Sequence, residues 1–110
     1  MNAPMDDGEF LAEKLGLGVV PINPNIARQL GVSADTTGLA IAGVVRSSDA
    51  ARKGLQRRDI ILSANYQEIS TTEELEAIVR EAEEAGRDAV VLRIQRARGQ
   101  TGYFAVRIQR

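Results

Sequence analysis

Thr71-Thr72-Glu73-Glu74-Leu75-Glu76-Ala77-Ile78-Val79-Arg80-Glu81-Ala82-Glu83-Glu84-Ala85-Gly86, with the alternating run Ala89-Val90-Val91-Leu92-Arg93-Ile94-Gln95 just beyond it, decides the fold class. Thr71 and Glu74 stand at capping-box spacing, the hydroxyl accepting from the Glu74 amide while the carboxylate reaches back. Leu75, Ile78, Val79 and Ala82 then recur at the spacing of one helix face, and Gly86 closes the helix. The period next changes from helical to two: Val90, Leu92 and Ile94 alternate with Val91, Arg93 and Gln95, as in a half-buried strand. Gly99-Gln100-Thr101-Gly102 reads as a turn and Tyr103 to Ile108 as the returning strand. A capped helix followed by an antiparallel hairpin belongs to an α+β domain.

Working back toward the N-terminus, Asn65-Tyr66-Gln67 reads as a turn after the buried strand Ile60-Ile61-Leu62. Ser47-Ser48-Asp49 caps a helical turn through Ala50, Ala51 and Arg52 that Gly54 ends. Gly38 to Val45 is an apolar run suited to a buried strand. Asn23-Pro24 pairs an N-cap with proline at the first helical position, opening a short helix with Ile26, Ala27 and Leu30 on one face and Gly31 at its end. Gly16-Leu17-Gly18-Val19-Val20 is a glycine-marked turn into a strand, and Phe10 to Leu15 fits one helical turn. Residues 1–9 are expected to be a disordered linker or cut end, and residues 10–110 the domain. The expected architecture is a five- to six-stranded, partly open barrel or sandwich capped by two helices.

Composition narrows the chemistry. There is no cysteine and no histidine, which excludes thiolate nucleophiles, zinc–thiolate and histidine metal sites, and a Ser-His-Asp triad within this chain. The net charge of −1 gives no global field toward nucleic acid or an anionic membrane. Residues 73–84 hold six glutamates, while the last 22 residues hold five arginines and no acid, read as a solvated helix beside an exposed strand face. Nothing draws two carboxylates into a cleft for acid–base work, and no stretch reaches the ~20 apolar residues of a membrane helix. No metal, cofactor, nucleic acid or inserted membrane partner is expected.

The order of these stretches resembles a bacterial PDZ domain over residues 15–108. Leu15-Gly16-Leu17-Gly18-Val19 is similar to the family's carboxylate-binding loop, and Ile22 to Leu30 to the segment that follows it in HtrA/Do proteases. Gly54-Leu55-Gln56-Arg57-Arg58-Asp59-Ile60-Ile61 resembles the family's Gly-Leu-x-x-Gly-Asp-x-Ile, with Arg58 where glycine is usual. Ser48-Asp49 replaces the usual Ser-Pro. The finish, Leu92-Arg93-Ile94-Gln95-Arg96 and a hairpin, resembles the last PDZ domain of Do-type proteases. The resemblance implies a circularly permuted PDZ topology and a ligand added as a strand to an open sheet edge.

Mapped onto this chain, the peptide site comprises Leu15, Gly16, Leu17, Gly18, Val19, Thr72, Glu76, Val79 and Arg80. Two registers fit the carboxylate loop, Leu15-Gly16-Leu17 and Leu17-Gly18-Val19. The first leaves a full strand, Leu17 to Ile22. Leu17 and Val19 then offer their backbone to the ligand, whereas Pro21 has no N–H and limits pairing to the last three or four ligand residues. Leu15, Leu17 and Val79 are expected to line an apolar pocket, with Thr72 and Glu76 facing the groove and Arg80 at its carboxylate end. Arg58 is expected to sit in an adjusted turn that avoids positive φ.

The resemblance further implies a periplasmic parent: an oligomeric serine endopeptidase whose catalytic serine lies upstream. The domain would capture C-terminal or unfolded polypeptide segments, or contact other domains and subunits. A scaffold or secretion-apparatus PDZ domain is the alternative, and a small autonomous enzyme ranks last.

Overall fold

A computed structural model describes residues 7–109. Its helices are α1 (Asp7–Leu15), α2 (Pro24–Leu30), α3 (Asp49–Arg52) and α4 (Thr72–Glu84). Its strands are β1 (Leu17–Pro21), β2 (Leu39–Val44), β3 (Ile60–Ala64), β4 (Gln67–Glu68), β5 (Ala89–Gln95) and β6 (Thr101–Arg107). All pairings are antiparallel, in the order β1-β2-β3-β5-β6, with β4 paired to β3. The sheet is open, with β1 and β6 at its edges. The α+β class and the strand number agree with the sequence reading, and the four helices fall at the segments that read as helical, α2 and α4 as helices and α1 and α3 as single turns.

Local chemistry accounts for most boundaries. Thr71 Oγ1 accepts from the Glu74 amide at 3.1 Å, and Glu74 Oε1 accepts from the amides of Thr71 at 3.1 Å and Ser70 at 2.8 Å. These bonds hold the Glu74 carboxyl below its ordinary range, the Ser70 amide contributing most. Asn23 Oδ1 accepts from the Ile26 amide at 2.8 Å, Pro24 opens α2, and Gly31 ends it at φ 73°. In β5, Val90, Leu92 and Ile94 face inward with no exposed surface.

Three expectations are corrected. Phe10–Leu15 belongs to a nine-residue helix that starts at Asp7, within the segment expected to be a linker; residues 1–6 lie outside the described residues. Phe10, Leu11 and Leu15 are buried because α1 packs on α4 and β1, a contact distant in sequence. The hairpin turn spans residues 96–100 rather than 99–102. Arg96 donates to Gln100 O at 2.7 Å, Gly99 donates to Arg96 O at 2.8 Å, and Gly99 has φ 87°. Thr101 and Gly102 thereby enter β6.

The third correction is Arg58, which has φ 79° at the third position of a turn closed by Asp59 N–H to Gln56 O at 3.2 Å. The turn keeps the left-handed geometry that favours glycine. Asp59, only 2% exposed, fixes it by accepting from the Gln56 amide at 2.9 Å and pairing with Arg96 at 3.2 Å.

Candidate functional site

The site is built from the edge strand β1, the α1–β1 junction and α4. Gly16 turns the chain between α1 and β1 at φ 71°. A Cβ there would sit 2.3 Å from Ser48 Cβ, so only glycine lets the junction lie on the N-terminus of α3. Ser48 is itself fixed: its hydroxyl donates to Val45 O at 2.7 Å and accepts from the Ala51 amide at 3.1 Å.

Register defines what β1 offers. Val45 N–H donates to Gly16 O and Ile22 N–H to Gly38 O, which makes Leu17↔Val44 and Pro21↔Leu39 non-hydrogen-bonded pairs. A bulge between Gly18 and Val19 preserves this phase by leaving Ala42 unpaired. Leu17, Val19 and Pro21 therefore direct their backbone polar groups away from β2, toward the open edge. Among the described residues no strand pairs with that edge. Pro21 has no N–H, so Leu17 and Val19 supply the two outward donors of β1.

The opposite edge is treated differently. Arg107 N–H donates to Asp49 Oδ2 at 3.0 Å and Lys53 Nζ donates to Ala105 O at 3.0 Å, so α3 and its C-cap engage the last two outward positions of β6. Asp49 stands where the resemblance has proline, and its carboxylate makes a bond that proline lacks. That bond, with help from Lys53 and Arg52 and against the opposing effect of burial, lowers the Asp49 carboxyl from its ordinary 3.8.

The expected site residues lie at the end of α1, on the junction after it, on β1 and on α4. Leu15, Leu17 and Val79 have no exposed surface and belong to the core, with Leu75, Ile78 and Ala82. Val79 thus lies on the inner face of α4 and lines no open pocket. Gly18 and Val19 are half-buried in β1, and Thr72 and Glu76 are half-buried on α4. Arg80 binds Glu76 Oε1 at 2.7 Å and stacks its guanidinium 4.2 Å from the centre of the Phe10 ring. Lys14 of α1 joins Glu83 of α4 at 2.9 Å.

Sequence reasoning read only one turn of α1 and missed its length and its docking. Besides filling the space beside α4, α1 engages the expected carboxylate loop, because the Gly16 amide donates to Ala12 O at 3.0 Å. The Gly16 amide therefore ends a helix and is not free for a ligand. Leu11 and Leu15, four residues apart, were the available signal for a longer helix.

Comparison with known proteins agrees with this architecture. A family model described as PDZ domain matches residues 41–96. A probable periplasmic serine endoprotease, DegP-like, of Chlamydia trachomatis is 35% identical over 77 residues, 70% of this chain and 16% of that protein. A protein of the same description from Brucella suis is 35% identical over 88 residues, 80% of this chain and 15% of its own length. The chain thus spans a small part of the curated relatives it matches. Among solved structures, the HtrA-type protease AlgW with decapeptide superposes with a TM-score of 0.70 at 30% identity, over 86% of this chain and 28% of that one. The HtrA3 PDZ domain bound to a phage-derived ligand (FGRWV) shares the fold, with a TM-score of 0.68 at 21% identity over 86% of this chain and 83% of that one. With an open antiparallel sheet, a free β1 edge beside a long helix and a family match over residues 41–96, this chain belongs to the PDZ domain family and is related to the PDZ domains of DegP/HtrA serine endoproteases.

Proposed function

We propose that this domain binds polypeptide by adding a short strand to β1, and that it serves substrate recognition, regulation or assembly in a periplasmic HtrA/Do-type serine endopeptidase. The observation that carries this reading is the outward backbone phase of Leu17 and Val19 on an edge that no described strand occupies. Strand addition uses such groups for affinity, and pockets beside the strand for selectivity. The related solved proteins are described with a decapeptide and with a phage-derived ligand, which supports peptide as the ligand class. Parent and compartment rest on the relatives' description as periplasmic endoproteases.

The geometry also sets limits. Pairing ends at Pro21, so three or four ligand residues engage. The ligand's terminal carboxylate meets the Leu17 amide, since the Gly16 amide is already bonded to Ala12 O. Thr72 and Glu76 flank the preceding ligand positions, where Glu76 favours a basic or polar residue despite its pairing with Arg80.

NMR titration of the isotopically labelled chain with free and amidated peptides ending in apolar residues tests this reading. Shifts confined to residues 15–21 and 72–80 are expected, and amidation should weaken binding by about tenfold, the value of one charge-assisted bond. Absence of saturable shifts at millimolar peptide would overturn it.

A further inference from the structure

A second concave surface lies at the far end of the sheet, where the turn before β3 meets the β5–β6 hairpin. This cleft, of about 550 Å³, is lined by Arg57, Arg58, Arg96 and Arg98, and Asp59 is its one acidic lining residue. Asp59 is spent on Arg96, which also donates to Gly54 O at 2.9 Å and lies 5.6 Å from the Phe104 ring centre. Arg58 donates to Gln29 O at 2.8 Å, a neutral acceptor that leaves its charge uncompensated. Arg57 and Arg98 are exposed, with no ion pair among the described residues.

Three uncompensated guanidinium groups therefore converge in a chain whose net charge is −1. Convergence of like charges opposes folding, and a concave wall focuses their field outward. One of the three also occupies a positive-φ position where glycine relieves strain. The fold bears both penalties at the same cleft.

We infer that this cleft is a second binding site, distinct from β1, for an acidic extended polypeptide segment. Guanidinium forks match carboxylates in pairs, which a diffuse lysine patch does not do. The adjoining edge favours a polypeptide over a nucleic acid. In β6 the outward-facing backbone positions are Thr101, Tyr103, Ala105 and Arg107, set by Ile108 N–H to Asp88 O and Arg96 N–H to Gln100 O. Asp49 and Lys53 cover Arg107 and Ala105, but Thr101, itself part of the cleft wall, presents its backbone beyond their reach. A strand laid there carries every second side chain toward the arginines. The half-buried Phe104 ring in the cleft wall adds an apolar surface for the stems of those side chains.

The test uses a peptide of about ten residues alternating Glu and Thr, which sets the carboxylates on one face of an extended chain. It is acetylated and amidated, so that no free terminus engages β1. Titration should shift residues 56–59 and 96–102, leave residues 15–21 unmoved, and weaken as salt is added. Charge reversal in the Arg57→Glu/Arg98→Glu double variant should weaken binding by about tenfold or more. Arg58→Gly should lower affinity by about threefold while raising the melting temperature by about 4 °C, a combination that a purely structural role does not produce. The inference is overturned by no saturable shift at millimolar peptide, by binding that the double variant leaves intact, by equal binding of the Lys-Thr counterpart, or by tighter binding of a single-stranded oligonucleotide. Failure here leaves strand addition at β1 standing, because the two titrations read separate residues.

Discussion

At the scale of single residues, the departures from the family pattern carry the most information. Asp49 replaces a proline, and in doing so gains the Arg107 amide and the company of Lys53 at 3.6 Å and Arg52 at 3.7 Å. Its carboxyl is only about a tenth exposed, with 10% of the side chain accessible, so the bond to the amide is shielded from water. Asp49→Ala should cost about 2 kcal/mol at neutral pH, as hydrogen bonds to charged groups do. Because the folded-state pKa lies below the ordinary 3.8, that contribution is complete above this value and fades as pH falls through the folded value. Chemical denaturation of both proteins from neutral pH to pH 2 should show the two curves converging below 3.8; a constant gap would mean that the carboxylate charge contributes nothing. Arg58 is the reverse case. Left-handed backbone there costs about 1 kcal/mol relative to glycine, with no compensating buried contact, and the benefit lies at the cleft.

At the scale of elements, legibility followed locality. The capping box and apolar spacing of α4, the Asn23-Pro24 start of α2, and the alternation in β5 each depend on neighbours in sequence, and each reads correctly from residue types alone. The faces of α4 were less legible. Ile78 and Val79 both point inward, and the core face of α4 is wide enough to include Val79 because α1 packs on that helix, a docking no local pattern announces. The same holds for the hairpin turn, where two glycines competed and the left-handed Gly99 won because it lets Arg96 close on Gln100. The β1 edge was legible in its phase, since Pro21 marks it, but the Gly16 amide was not, because its partner belongs to α1. A direct measure of that docking is Phe10→Ala. Phe10 is 5% exposed and supports Arg80, so its truncation should cost about 3 kcal/mol. Hydrogen exchange at Gly16 should accelerate along with that of α1, since Ala12 O loses its fixed position. A loss below about 1 kcal/mol with unchanged Gly16 exchange would mean that α1 holds its place without the ring.

At the scale of the whole molecule, the two ends of the sheet show opposite solutions to one problem. Any open sheet presents two edges, and each is a template for pairing with another chain. Here β1 keeps two outward donors open and stops them with Pro21, which restricts pairing to a short ligand. The β6 edge runs longer, Thr101–Arg107, and two of its outward groups, Ala105 O and Arg107 N–H, are engaged by Lys53 and Asp49 and not by another strand. Lys53 and Asp49 thus shorten the part of β6 that is open to pairing, leaving its Thr101 end beside the arginine cleft. Removing both clamps with Asp49→Ala/Lys53→Ala should free Ala105 O and Arg107 N–H, making all four outward positions of β6 fully available for pairing. Two such edges pair antiparallel with the same residues on both sides, so the expected product is a symmetric dimer. Sedimentation of the double variant should show stronger concentration-dependent dimerisation than the parent chain, and proline at position 105 should reverse the gain by removing an outward N–H. If the double variant stays monomeric at concentrations where it remains folded, twist and the charges of Arg93 and Arg107 protect the edge, and α3 serves stability alone.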